Sequence, residues 1–184
     1  IAITPDGSRV YVANTGANTL SVINTTTNAV SSIAGLNSPV GIAINPAGTK
    51  AYVANYGDNT VSVVDLATNA LTTIADASFN APYGVAITPD GSKVYVTDYG
   101  SSKVSVIATA SNTVSATVNV ATQPWGAVVT PDGSKLYVSN SGSGSVSVIS
   151  TATNAVTSTI AVGGTPTGVA VTPDGTRVVV TDNG

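Results

Sequence analysis

With 184 residues the chain has room for one sizeable hydrophobic core; 42% of its residues are hydrophobic and only 8% are charged, against about 25% charged in an average globular domain. Six Lys or Arg stand against nine Asp, with no Glu, and the net charge of −3 leaves too few clustered cations to displace counterions from a nucleic acid. Cys, His and Met are absent, which excludes disulfides, thiolate chemistry and metal sites built on those ligands.

No uninterrupted apolar run approaches the roughly 18 residues of a membrane span, so no membrane insertion is expected. A surface solvated by Ser, Thr, Asn and Gly carries little mutual repulsion and suits a protein that packs against copies of itself or against neighbours. The chain opens at Ile1 rather than Met and reads as processed, trimmed or partial.

Taken in order, the chain repeats itself. The first unit, residues 1–40, starts on Ile1-Ala2-Ile3, turns at Thr4-Pro5-Asp6-Gly7 and runs on through "YVAN" (11–14), "SVI" (21–23) and the turn "TTTN" (25–28). The second, 41–83, has Asn45-Pro46-Ala47-Gly48, "YVAN" (52–55), "SVV" (62–64) and "LATN" (66–69). In the third, 84–125, four β-type runs are plain: Val85–Thr88, Lys93–Asp98, Lys103–Ala108 and Thr113–Val120. The fourth, 126–167, follows the same order with "YVSN" at 137–140, and a partial fifth, 168–184, stops after "VVVTD" (178–182). Gly41, Gly84, Gly126 and Gly168 open successive units 43, 42 and 42 residues apart.

Each Thr-Pro-Asp-Gly is a tight turn in which Pro presets φ and Gly takes the positive φ. No stretch has helical period with caps. Four short antiparallel strands repeating about every 42 residues predict an all-β fold, a β-propeller of four-stranded blades, with four full repeats and part of a fifth over 1–184. The middle of each unit's first run is small (Ala2, Ala43, Ala86, Val128, Ala170), as the crowded innermost strand requires.

The recurring "YVAN", "YVTD" and "YVSN", each after a TPDG-like turn and before "SVI" or "SVV", resemble the YVTN-type propeller repeat of surface-layer proteins, which is related to lactonase-like propellers. The resemblance spans essentially the whole chain; it implies a ring of commonly seven blades, of which this is a segment. It also implies an extracellular or cell-surface protein of structural or adhesive type that engages protein partners or copies of itself. A ring left open exposes apolar faces and strand edges. Fold likeness does not fix function, and two other roles stand beside the scaffold: a carbohydrate or small-ligand binding module, and a lactonase-like enzyme whose catalytic residues lie outside this segment.

Candidate site residues separate by whether they recur. Asp6/Arg9, Asp90/Lys93, Asp132/Lys135 and Asp174/Arg177 return in nearly every unit and read as turn and rim, not as catalytic pairs. Tyr11, Tyr52, Tyr95 and Tyr137 recur on the second run and read as inter-blade core. In contrast, a Pro-x-Gly step carries Val40, Tyr83, Trp125 and Thr167 in turn, and the loops between second and third runs add Tyr56 and Tyr99. Variable aromatics on a fixed frame make a partner- or ligand-binding face; the alternative is that Tyr83 and Trp125 plug the channel or cover seams. Asp58 and Asp98 offer oxygen ligands without any calcium-loop pattern and read as solvated loop. Asn24-Thr25-Thr26 is a lone N-x-[ST] sequon, an acceptor for glycosylation in a suitable host. No cofactor is implied, and with His, Cys and Glu all missing no catalytic constellation is legible.

Overall fold

A computed structural model describes all residues, 1–184. Blade 1 comprises β1 (Ala2–Ile3), β2 (Arg9–Asn14), β3 (Thr19–Asn24) and β4 (Val30–Ala34). Blade 2 comprises β5 (Pro39–Ile44), β6 (Lys50–Asn55), β7 (Thr60–Asp65) and β8 (Leu71–Ala75). Blade 3 comprises β9 (Pro82–Ile87), β10 (Lys93–Asp98), β11 (Lys103–Ala108) and β12 (Thr113–Asn119). Blade 4 comprises β13 (Pro124–Val129), β14 (Lys135–Asn140), β15 (Ser145–Ser150) and β16 (Ala155–Ala161), and a two-stranded fifth follows as β17 (Pro166–Val171) and β18 (Val178–Asp182). Each blade is an antiparallel meander in sequence order, and the first strands of successive blades lie side by side around the axis. The only helical residues form a short 3-10 turn, Thr15–Ala17.

The core is not inside a blade but between blades. Successive residues of a strand point to opposite faces, so β6 gives Ala51 and Val53 to the seam with blade 1 and Tyr52 and Ala54 to the seam with blade 3. Three such seams fill with buried Val, Ile, Leu and Tyr. Tyr11, Tyr52 and Tyr95 are fully buried there. Tyr52 and Tyr95 also donate their hydroxyls across the seam, to Asn112 Oδ1 (3.0 Å) and Asn154 Oδ1 (3.1 Å). Those asparagines close the outer turns in left-handed backbone, φ 53° and 52°, a conformation Asn tolerates. Tyr137 departs from the expectation: it is only half-buried, because the two-stranded fifth blade lacks the outer strands that cover its counterparts.

Two further contacts tie neighbours together on the turn side. Arg9 donates to Leu66 O (3.0 Å) in blade 2, and Lys93 Nζ to Thr151 O (2.6 Å) in blade 4. Asp132 Oδ1 accepts from the Thr130 hydroxyl and the Ser134 backbone N–H. These bonds hold its carboxyl down at about 2, the Thr130 hydroxyl counting most. Asp6 and Asp90 repeat the arrangement with the same result. The recurring acid and cation thus serve their own turn and the next blade.

Exposed apolar side chains gather at the two open ends. Ile1, Ile3 and Val30 lie on blade 1, and Val156, Ile160, Val162 and Val179 on blade 4 and the two-stranded sheet.

Candidate functional site

A β-bulge begins every blade after the first. On β9, Tyr83 and Gly84 together oppose the single residue Thr97 of β10, and the same two-against-one pairing holds Trp125-Gly126 against Ser139. Val40-Gly41 oppose Ala54, and Thr167-Gly168 oppose Thr181. The first strand therefore starts at Pro82, three residues ahead of the predicted Val85. A hydrophobicity pattern reads through a bulge poorly, because the extra residue breaks the alternation. A bulge also re-aims its side chain, and here it turns the variable residue toward the axis. Val40, Tyr83, Trp125 and Thr167 all line the axial channel, a cavity of about 430 Å³ that the bulge glycines, Ile42, Val85, Ala127 and Val169 also line.

Close packing at the bulge explains its glycine. A Cβ on Gly84 would overlap the carbonyl oxygen of Trp125 in the next blade, and one on Gly41 the carbonyl of Tyr83. Opposite the bulge, the Thr97 hydroxyl accepts from Gly84 N–H (2.7 Å) and donates to Trp125 O (2.8 Å), tying blade 3 to blade 4. Ser139 does the same between blade 4 and the fifth, bonding Gly126 N–H (2.9 Å) and Thr167 O (2.6 Å). Thr97 and Ser139 escaped the sequence reading, although their polar character in an apolar strand was the available signal.

Four of the expected site residues meet at the channel mouth. Tyr83 and Trp125 pack with ring centroids 4.2 Å apart. Tyr99 meets Trp125 edge-on at 5.5 Å and 85°, and Tyr83 at 6.3 Å. Tyr56 joins edge-on to Tyr83 at 6.3 Å and is 44% exposed. Tyr83, Tyr99 and Trp125 are half-buried, so the cluster is a self-packed platform with open ring surface at the rim. Val40 and Thr167 extend the channel wall on either side of it without joining the rings. Burial, then the neighbouring phenols of Tyr56 and Tyr99, push the Tyr83 hydroxyl above its ordinary pKa. Asn24 is elsewhere: it is exposed on the outer hairpin of blade 1, where its Oδ1 accepts from the N–H groups of Thr26 and Thr27.

Asp98 is a correction. It does not lie in solvated loop; it is completely buried as the last residue of β10, immediately before Tyr99 in the chain. Its Oδ2 accepts from the Ser105 hydroxyl (2.7 Å) and its Oδ1 from Asn80 N–H (3.4 Å). Burial pushes its pKa up to about 7, over the opposing pull of Ser105, the Asn80 backbone and Lys103. Blades 1, 2 and 4 have Asn14, Asn55 and Asn140 in the same slot, each donating Nδ2–H to two hydroxyls of the third strand. Asp58 accepts from Thr60 in its own loop, and no group of three acidic, His or Cys side chains converges on a metal site.

A larger cavity, about 530 Å³, opens at the opposite end of the strands between the turns of blades 3 and 4. Its Asp90, Asp132 and Lys93 are committed to the turn and inter-blade bonds already described.

Residues 10–127 match the family described as "Lactonase, 7-bladed beta-propeller". Among solved structures, hydrazine synthase of Kuenenia stuttgartiensis superposes with TM-score 0.89 at 26% identity, covering 98% of this chain and 54% of that one. A functionally unknown protein from Desulfotomaculum acetoxidans superposes with TM-score 0.85 at 22% identity, over 98% of this chain and 61% of that one. The chain therefore spans less than two thirds of either structure. No curated protein matches it.

Proposed function

Since the chain belongs to the lactonase family of seven-bladed β-propellers, we propose that it uses the family frame for recognition, binding a carbohydrate at the channel mouth on the Tyr56, Tyr83, Tyr99 and Trp125 platform. The observation that carries this reading is the convergence of those four rings, contributed by blades 2, 3 and 4, on one open edge of the axial cavity. A sugar ring offers an apolar face that stacks on such rings and hydroxyls that pair with phenols and with main chain. Stacking requires no proton transfer, which suits a channel wall built from Val40, Thr167, glycines and aromatics.

We place such a protein outside the cell or on its surface, where the polar, weakly charged exterior and open apolar ends suit packing against protein neighbours or further copies. Fractionation of the native protein tests this, and recovery in the cytosol would overturn it. The binding test is titration of tryptophan fluorescence, which reports Trp125 alone, with neutral cell-wall oligosaccharides. Saturable change in the wild type and its loss in Tyr83→Ala, read by calorimetry as well, support the reading. No change with any of a panel of glycans sinks it.

The family match favours a second reading, lactone hydrolysis. Water attack on a lactone carbonyl needs a base within reach of the substrate, and the one carboxyl poised near neutrality, Asp98, is walled off from solvent. Hydrolysis would draw its acid–base groups from other blades of a complete ring. Release of acid from simple γ- and δ-lactones, followed in a pH-stat with this chain alone, decides the point; turnover would displace the binding reading.

A further inference from the structure

We propose that Asp98 is a proton-operated positioning residue at the foot of the loop that carries Tyr99: neutral, it fastens that loop against Trp125, and ionised, it releases the loop and weakens the binding site. The regulation rests on the binding reading above, although its first test does not.

Position is the first support. Asp98 ends β10, and Tyr99 is the next residue. The loop beyond it is pinned to the segment entering Tyr83 by two main-chain bonds, Tyr99 N–H to Ala81 O (3.2 Å) and Gly100 N–H to Asn80 O (3.0 Å). Asp98 Oδ1 takes the Asn80 N–H of that same segment. The stems of two platform rings, Tyr83 and Tyr99, thus meet at one carboxyl.

The second support is what the slot accepts. In blades 2 and 4 the amide oxygens Asn55 Oδ1 and Asn140 Oδ1 are buried with no hydrogen-bond donor. A slot that leaves an amide oxygen unpaired has little to offer a carboxylate, whose desolvation costs far more. A protonated Asp98 resembles asparagine in carrying no charge and in lying within hydrogen-bond distance of the matching third-strand hydroxyl, Ser105 where the amides of Asn55 and Asn140 have Ser62 and Ser147. Once ionised it can only accept, and hydrating it requires opening the loop that covers it.

The charged neighbours do not cancel this. Lys103, opposite Asp98 across the β10–β11 pair, attracts the ionised form without outweighing burial. Asp76 is reached through Ser78, whose hydroxyl lies 3.1 Å from Ser105 Oγ and bonds Asp76 Oδ1 at 2.8 Å. That chain of hydroxyls links the buried carboxyl to an exposed one, a route for the proton. On the platform side stand the Tyr56, Tyr83 and Tyr99 phenols, and Asp58 lies in the adjacent loop, whose Asn59 Oδ1 accepts from Ala81 N–H (2.7 Å).

The sequence makes the test clean. With no His, Cys or Glu, no other side chain is expected to titrate near neutrality, and Trp125 is the sole tryptophan. Ligand-free wild type should show a shift in tryptophan emission and in acrylamide quenching with a midpoint near pH 7. Asp98→Asn, which installs the residue of blades 1, 2 and 4, should be flat between about pH 5.5 and 8.5. Ser105→Ala should move the midpoint upward, since that hydroxyl favours the charged form. A flat wild type, a transition surviving in Asp98→Asn, or a midpoint that fails to rise in Ser105→Ala overturns the proposal. In a second arm, oligosaccharide affinity should fall several-fold across the transition in wild type and stay constant in Asp98→Asn; constant wild-type affinity also overturns it. Absence of binding at every pH strikes at the carbohydrate reading alone, and the fluorescence arm still decides the latch.

Discussion

Replacing Asp98 by asparagine should stabilise the fold at alkaline pH and leave it unchanged in acid. In the unfolded chain the carboxyl titrates near its reference value of 3.8, and in the folded protein near 7. Below about pH 4 both states hold the proton and nothing distinguishes them. Between about pH 4 and 7 only the folded state holds it, so stability falls by about 1.4 kcal/mol per pH unit. Over about three such units the loss is about 4 kcal/mol, and it is constant above pH 7. Asparagine has no proton to lose, and Asn14, Asn55 and Asn140 show that the slot receives it. The variant should therefore match wild type near pH 4 and exceed it by about 4 kcal/mol near pH 8, a rise in Tm on the order of 10 °C for a chain of this size. Thermal and urea unfolding followed by circular dichroism, stepped through pH, measures both ends. Stability curves for the two proteins that run parallel from acid to alkaline pH would refute the burial argument.

Other consequences are as direct. Tyr95→Phe removes a hydroxyl that bonds Asn154 and should cost about 1 kcal/mol in denaturant unfolding. Tyr11→Phe, whose buried hydroxyl has no partner, should be neutral or stabilising. Gly84→Ala places a methyl on the Trp125 carbonyl and should lower Tm markedly, whereas Thr167→Ala, altering a side chain at the equivalent bulge, should not. The carboxyl of Asp132, followed by NMR, should titrate with a midpoint of about 2, because its turn donates to the charged form; the stability from that turn is full above the unfolded value of 3.8 and is lost as pH falls through 2.

The repeat made the architecture legible. Turn residues at fixed offsets and β-branched runs every 42 or 43 residues are local signals, and β10 and β11 fall at their predicted bounds, Lys93–Asp98 and Lys103–Ala108. The variable aromatics were legible for the opposite reason: departures from a repeat stand out against it, and Tyr56, Tyr83, Tyr99 and Trp125 do converge. Tyr137 misled because its burial depends on strands of a neighbouring blade, not on its own. Asp98 misled more deeply. Its letter is acidic and its neighbours are loop residues, yet it occupies a position that three other blades give to asparagine. Alignment of the repeats alone contains that clue, an acid at 98 where three of the other blades have an amide and only the two-stranded fifth, with Asp182, has another acid, and only the depth of the slot reveals what the substitution costs.

The bulges carry a consequence for change. At each one the structural work falls to main chain: the carbonyl of Trp125 receives Thr97, and the glycine beside it yields space to the next blade. The side chains of Val40, Tyr83 and Trp125 take no hydrogen bond in that joint, and at the exposed fifth blade Thr167 adds only a long one to Thr181 (3.3 Å). Positions 40, 83, 125 and 167 are in effect blank keys cut on a common shank. The four can be rewritten together, by drift or by library selection, and the ring would go on assembling while the lock it fits is exchanged.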